Sequence, residues 1–401
     1  MPRVNPEILV WARKTAGLSV DDAARKLAFK DTTNGTAVEK LTAYEAGQGD
    51  PSRATLVKMA KAYRRPLLAF YMAAPPRPGD RGQDFRNVPD RQPGSEALVD
   101  ALVRDVRARQ SMVHSILVDE EEAVPLGFVG SVSMNDGIGA VLASMRRTIG
   151  VDLADFRAQS SPDGAFALLR NGVEAAGVFV LLIGNLGSHH TAIDVEAFRG
   201  FALADPIAPF VIINDQDAKS AWSFTLLHEL CHLWLGVTGV SGVFSDAAIE
   251  RFCDDVAGSF LLPENELPLA GVTQTTLVDE AAKLISDFAQ QRHLSRSMVA
   301  YRLQRSGLLR ADAWRTLVTR FRDQWRAGRD AQRERDRLKD TGPNYYIVRR
   351  HRLGSALLKF VSRNMSDGAL TPTKAGKVLG VKARSVAPLL NGAALTVGRA
   401  A

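Results

Sequence analysis

The stretch "SFTLLHELCHLWLG", residues 223–236, decides how the middle of this chain is interpreted. Its apolar residues predict a helix, and residues four apart share one face of a helix. His228 and His232 therefore project the same way and can hold one metal ion. Zinc lowers the pKa of a bound water, and a neighbouring carboxylate can take the released proton. The stretch predicts a zinc site in which Glu229 is the catalytic base.

A catalytic zinc also needs a third protein ligand, and the next predicted helix offers one. In "IERFCDD", residues 249–255, Glu250 and Asp254 lie four apart. Glu250 completes a His-His-Glu ligand set, and Asp254 can accept the outer N–H of a ligand histidine. The alternative is that both carboxylates belong to a solvated acidic face of this helix.

With "RGFALADPIAPFVIIN" (199–214) before it and "IERFCDDVAGSFLLPE" (249–264) after it, the opening stretch resembles the ImmA/IrrE family of zinc metallopeptidases. The resemblance is dense over roughly residues 160–265. It implies that His228, His232 and Glu250 bind Zn²⁺ and that Glu229 is the catalytic base. Two positions depart from the family pattern, because Asp254 stands where Asn is usual and Leu227 where Ala is usual.

Several further features surround the predicted site. His189 and His190 in "GSHHTA" are candidate oxyanion stabilisers, with incidental loop histidines as the alternative. The segment "PFVIIN" is interpreted either as an edge strand that pairs with an extended substrate or as a buried central strand.

Cys231 and Cys253, the only cysteines, are predicted to be small buried residues where the two helices pack. The alternatives are that oxidation of a close pair tunes the site, or that one thiol closes it as a fourth ligand.

The succession of elements predicts an α+β, mostly helical fold. The strands "VFVLLI", "AFRGFALAD" and "PFVIIN" predict a small three-stranded sheet. We predict four parts: a helix-turn-helix bundle (1–72), a linker rich in Pro and Gly (73–94), the metallopeptidase domain (95–270) with a helical lead-in over 95–150, and a basic helical C-terminal region (271–401).

The N-terminal part, with "LSVDDAARKL" followed by "AVEKLTAYEAG", resembles an Xre-type helix-turn-helix. In such a module the second helix docks in the DNA major groove, which makes Lys40, Thr42 and Tyr44 candidates for DNA contact. However, the turn "FKDTTNG" is longer than usual, and the carboxylates of Asp22 and Glu39 would repel phosphate. A protein-recognition module is the alternative.

Charge is spread unevenly along the chain. The net charge is +7, but residues 1–72 carry about +5 and residues 301–401 about +15, which leaves about −13 between them. This asymmetry predicts a nucleic-acid or acidic-protein partner for the two ends, with a solvated surface as the alternative. The segment "RNMSDGALTPTKAGKVLGVKARSVAPLLNG" (363–392) also has a helix-turn-helix pattern, which favours either DNA contact or a helical bundle that closes the structure.

Composition excludes several classes of protein. Two cysteines in 401 residues exclude a disulfide scaffold and fit a reducing cytoplasm. We expect no signal peptide and no membrane partner, because the N-terminus has no apolar core segment and the longest apolar runs are too short to span a bilayer.

Together these features favour a zinc-dependent endopeptidase fused to a helix-turn-helix domain. The resemblance implies a regulatory protein as substrate, repressor-like or antitoxin-like, cleaved in a stress or mobile-element response. The first alternative is a DNA-binding transcriptional regulator or antitoxin whose zinc site is structural or relict. A second is an interaction protein with neither activity, which requires the whole ligand set to be coincidental. The sequence predicts no oligomeric state.

Overall fold

A computed structural model describes residues 4–33, 35–76, 93–188, 191–240, 247–338 and 344–391. These residues form two compact units. The first lies within Met1–Val106 and Asn185–Ala197, and the second within Arg107–Gly184 and Phe198–Ala401. This division into two units does not test the four parts predicted from the sequence, which stay a prediction.

The first unit contains the N-terminal helices, which begin where the sequence offers capping side chains. Ser19 accepts a hydrogen bond from the Asp22 N–H, and Thr36 forms a capping box with Glu39. The helices are α1 (Pro6–Lys14), α2 (Val20–Lys26), α3 (Ala37–Glu45) and α4 (Arg53–Tyr63), followed by a 3-10 turn (Leu67–Tyr71). Their apolar faces bury Ile8, Leu9, Leu41, Tyr63 and Phe70 in one core.

A buried ion pair holds α1 against α3. Arg13 donates from Nε and Nη2 to the two carboxylate oxygens of Glu45, at 2.7 and 2.8 Å. The hydrogen bond to Glu45 raises the pKa of Arg13 against the opposing effect of burial. Because both side chains are largely removed from water, the pair fixes how these two helices meet.

The second unit is built around a small mixed sheet. It is preceded by the part of α5 (Pro93–Asp119) from Arg107 onward and by helices α6 (Gly137–Ile149), α7 (Leu153–Arg157) and α8 (Pro162–Ala175). Its strands are β1 (Phe179–Leu182), β2 (Gly200–Leu203), β3 (Phe210–Ile213) and the two-residue β4 (Gly239–Val240), in the order β1-β3-β2-β4. The predicted α+β fold is confirmed, and the three predicted strands gain a short fourth.

The register of the sheet decides between the two interpretations of "PFVIIN". Strand β3 pairs in parallel with β1, with Phe210 opposite Phe179, and antiparallel with β2, with Ile213 opposite Gly200. Both edges of β3 are therefore hydrogen-bonded. The edge-strand interpretation of this segment is wrong, and the buried central strand is correct.

Two helices pack beside the sheet and against each other. Helix α9 (Lys219–Trp234) has every side chain from Thr225 to Trp234 buried, as expected of a helix that is apolar on all sides. Helix α10 (Ala247–Leu261) packs on α9 through Cys253, Val256 and Ala257, which are all fully buried. Further helices complete this part: α11 (Val278–Gln291), α12 (Arg296–Arg305) and α13 (Ala311–Arg337).

The C-terminal helices belong to the same unit as the sheet. They are α14 (Tyr345–Leu353), α15 (Ser355–Ser366), α16 (Pro372–Val378) and α17 (Val386–Asn391). A buried pair on α8 anchors them: Arg170 donates to the His351 carbonyl at 2.6 Å, and Glu174 accepts from the N–H groups of Ser355 and Ala356 at 3.0 and 3.1 Å. Gly354 lies against this pair with φ 78°, where a side chain would clash.

Within the described ranges, no helix is both long and apolar enough to cross a membrane.

Candidate metal centre

Helix α9 brings the two histidines to one face. His228 and His232 are one helical turn apart, and their Nε2 atoms lie 3.2 Å from each other. Both side chains are nearly inaccessible to water, with exposed fractions of 6% and 2%. Two nitrogens converge on one point inside the protein, as the sequence predicts.

Helix α10 adds an oxygen donor to these nitrogens. The Glu250 carboxylate oxygens lie 3.3 Å from His228 Nε2 and 3.2 Å from His232 Nε2. Donor atoms on a tetrahedral zinc with bonds of about 2.0–2.1 Å lie about 3.3–3.4 Å apart. The three side chains therefore fit a zinc ion in both donor chemistry and spacing. In the described part of the chain, these three form the group whose donor atoms all lie within 4.8 Å of one another.

Asp254 lies one helical turn beyond Glu250 and contacts the other side of the His228 ring. Its Oδ1 is 2.9 Å from His228 Nδ1, which leaves Nε2 directed toward the metal position. Burial alone would lower the pKa of His228, but hydrogen bonds to Asp254 and Glu250 outweigh it and raise the pKa to about 10. The two carboxylates thus favour positive charge at this point, which is the charge that a metal ion brings.

Glu229 is fully buried beside these ligands. Strand β2 passes so close that a Cβ at Gly200 would lie 2.8 Å from Glu229 Oε1 and 2.7 Å from Thr225 Cγ2. Only a glycine at this position leaves room for the carboxylate as it stands. Gly200 was not among the predicted site residues, although a glycine inside a predicted strand is itself a signal that another group approaches closely.

These positions lie within a recognisable domain. Residues 185–304 match the family model of the IrrE N-terminal-like domain, a peptidase family. The match spans β2, α9 and α10, and therefore all the side chains described above. It supports a metallopeptidase-type function for this part of the chain. The chain has no match among curated proteins and none among solved structures.

The two cysteines lie inside the matched domain, where α9 packs on α10. Both thiols are fully buried, as predicted for small residues in a helix interface. A hydrogen bond with Cys231, together with burial, raises the pKa of Cys253 far above its ordinary value. Neither sulfur belongs to the donor group formed by the described residues, so the structure does not support the prediction of a fourth thiolate ligand.

The roles predicted for the remaining site residues are not tested by the structure. His189 and His190 lie outside the described residues. On α3, Lys40 Nζ lies 5.2 Å from the centre of the Phe29 ring, and Thr42 Oγ1 donates to the Val38 carbonyl at 3.0 Å. Tyr44 is half-buried and packs edge-on against Phe29. Their contact with DNA stays a prediction.

Proposed function

We propose that this protein is a zinc-dependent endopeptidase in which His228, His232 and Glu250 bind the metal and Glu229 is the catalytic base. The observation that carries the proposal is the convergence of two imidazole nitrogens and one carboxylate on a single buried point beside Glu229. Three protein donors are the number typical of catalytic zinc sites, whereas structural sites use four. The match to a peptidase family supports the same conclusion.

A zinc ion bound here would supply a Lewis acid and lower the pKa of a water molecule. The chain's own residues do the rest. Glu229 accepts the proton at its carboxylate and passes it to the leaving amine, acting as base and then as acid. The position of that carboxylate is limited by its burial and by the close approach of Gly200 on β2. Asp254 holds the His228 ring in the orientation in which Nε2 meets the metal.

The substrate and setting rest on the sequence resemblance. We propose that the substrate is a repressor-like or antitoxin-like protein, and that cleavage occurs in the cytoplasm in a stress or mobile-element response. The N-terminal helices, proposed as an Xre-type helix-turn-helix, would recognise that protein or DNA. The half-buried Tyr44 and the acidic residues Asp22 and Glu39 support protein recognition over DNA for this module.

A substrate trap tests the proposed activity. The Glu229→Gln variant, loaded with zinc, should capture substrate from a lysate without cutting it. Captured proteins are then incubated with the wild-type protein and zinc, and new N-termini are identified by mass spectrometry. Cleavage should stop when a chelator removes the metal and return when zinc is restored. Glu280→Gln, the same change at an exposed position on α11, is the matched control and should cut normally.

Two results would contradict the proposal. One is that no captured protein is cleaved by wild-type protein with zinc. The other is that Glu229→Gln cleaves as fast as the wild type, because the reaction would then need no base at this position. Zinc binding that persists without any cleavage would favour the alternative of a structural or relict site.

A further inference from the structure

The C-terminal helices carry an exceptional excess of positive charge. Residues 344–391 contain nine Lys and Arg but a single acidic residue, Asp367. A solvated surface that serves only solubility normally mixes both signs. The question is which of these nine cations the fold itself uses.

Four of the nine cations are arginines with partners in the described fold, and one of them, Arg363, pairs with Glu122. Arg349 donates to the carbonyls of Leu379 and Gly380 at 3.0 and 2.9 Å. Arg350 donates to the Pro388 carbonyl at 3.4 Å, and Arg352 pairs with Asp215 at 2.6 Å. These contacts hold α14 against the segment that joins α16 to α17 and against the loop before α9. They are structural.

Four other cations point outward. Lys374 and Lys377 lie three residues apart on α16 and so share one face of it, while Lys382 and Arg384 follow in the segment before α17. All four side chains are exposed, and none forms an ion pair with any residue that the structure describes. We call these four residues the C-terminal cation surface. Their charge has no partner in the described fold.

The backbone beneath this surface is a tight helix-turn-helix. Val381 N–H donates to the Gly376 carbonyl at 2.8 Å, and Gly380 has φ 62°, so the chain reverses within a few residues. A Cβ at Gly376 would lie 2.8 Å from the Val381 carbonyl oxygen, so only glycine allows this approach. Ala375, Val378, Val386 and Leu389 are buried beneath the pair of helices. The cations thus lie on a packed helix-turn-helix support.

We propose that the C-terminal cation surface binds the phosphate backbone of double-stranded DNA. The major groove of B-DNA, about 12 Å wide, admits one helix of such a pair, whereas the deep and narrow major groove of duplex RNA does not. Four unpaired cations on one small support complement the phosphate charge. The N-terminal α3 compares poorly, because its Lys40 has Glu39 as a neighbour and lies over Phe29. This proposal does not depend on peptidase activity.

The test measures binding of the full-length, zinc-loaded protein to a fluorescein-labelled DNA duplex of about 30 base pairs, roughly three helical turns. Fluorescence anisotropy is followed as a function of salt. Release of counterions from about four phosphate contacts gives a slope of log K against log salt near −3.6, so affinity should fall roughly a hundredfold between about 50 and 200 mM salt.

A matched pair of variants locates the surface. The first combines Lys374→Gln, Lys377→Gln, Lys382→Gln and Arg384→Gln, and should lose nearly all affinity. The second removes the same number of lysines and arginines from exposed positions of the N-terminal helices, combining Lys40→Gln, Arg53→Gln, Lys58→Gln and Lys61→Gln, and should bind as the wild type does. Each single C-terminal substitution should reduce the salt slope by about 1.

Thermal melts test whether both variants fold. We expect melting temperatures close to that of the wild type, because all eight side chains are exposed. The proposal is overturned if the wild type does not bind the duplex, if the C-terminal variant binds normally, or if only the N-terminal variant loses binding. Tighter binding to an RNA duplex of the same sequence would also overturn it. DNA binding and cleavage can be tested separately. The Glu229→Gln variant should bind DNA as the wild type does, although it should not cleave.

Discussion

Replacing Gly200 by Ala adds one methyl group to the side of β2 that faces Glu229. The new carbon would lie 2.8 Å from Glu229 Oε1 and 3.0 Å from Glu229 Cγ, whereas ordinary contacts begin at 3.4 Å. The strand cannot easily recede, because β2 is hydrogen-bonded to β3 on one side and to β4 on the other. We therefore expect the Glu229 side chain to give way.

The structure sets the size of the effect. The carboxylate oxygen has to move by about 0.6 Å, and a misplacement of about 1 Å at a reacting group costs roughly a hundredfold in rate. We expect kcat to fall roughly 10- to 100-fold. Overpacking should also lower the free energy of unfolding by about 1–3 kcal/mol. Zinc affinity should remain within a few-fold of the wild-type value, because the three atoms nearest to the added methyl group belong to Thr225 and Glu229 and not to a proposed ligand.

The assay uses a protein substrate identified with the Glu229→Gln trap, at saturating zinc, together with a chelator-competition titration of zinc. Gly139→Ala is the matched control, since a Cβ at Gly139 in α6 meets nothing within 4 Å. The control should cleave at the wild-type rate.

An unchanged kcat in Gly200→Ala would show that β2 does not position Glu229. A parallel loss of zinc affinity and rate would show that the substitution disturbs the ligands instead. A comparable loss of rate in Gly139→Ala would mean that the effect is not local.

Four further predictions concern a proposed ligand, the carboxylate that contacts His228, the C-terminal anchor and the thiols. Glu250→Gln should abolish most of the rise in Tm caused by zinc, a stabilisation of about 2.7 kcal/mol at a hundredfold excess over Kd, and an unchanged rise in a melt would remove Glu250 from the ligand set. Asp254→Ala should weaken zinc binding roughly 10- to 100-fold in a chelator titration, whereas Asp254→Asn should keep most of it, since an amide oxygen still accepts a hydrogen bond; equal losses would disprove the hydrogen-bond role. Arg170→Met should lower the free energy of unfolding in urea by about 3–5 kcal/mol, because it leaves its glutamate partner buried without a cation, and a loss under about 1 kcal/mol would contradict this. Burial and the raised pKa of Cys253 predict that neither it nor Cys231 is alkylated in the folded protein at neutral pH, and rapid labelling detected by mass spectrometry would contradict this.

Local sequence was sufficient to predict those features that depend on the geometry of a single helix. His228 and His232 share a face because any helix places residues four apart on one side, and Glu250 and Asp254 follow the same rule on the next helix. Helix starts such as Ser19 were also predictable, because a capping side chain bonds to the backbone two or three residues ahead.

Other features depend on contacts between residues far apart in the chain. The central position of β3, the approach of Gly200 to Glu229 and the anchoring of the C-terminal helices by Arg170 all depend on contacts between separate elements, which lie up to 182 residues apart in the chain. No periodicity encodes such pairings, since they follow from how whole elements pack.

The donors of the proposed metal site could therefore be identified from the sequence, because their spacing is a property of helices. That these donors meet depends on the fold, because the distance between α9 and α10 follows from the packing of buried side chains such as Cys231, Cys253 and Val256. The same holds for the basic C-terminus. Composition determined its charge, and the fold decided which arginines have internal partners and which cations face solvent, because hydrogen bonds to distant carbonyls engage the partly exposed Arg349 and Arg350.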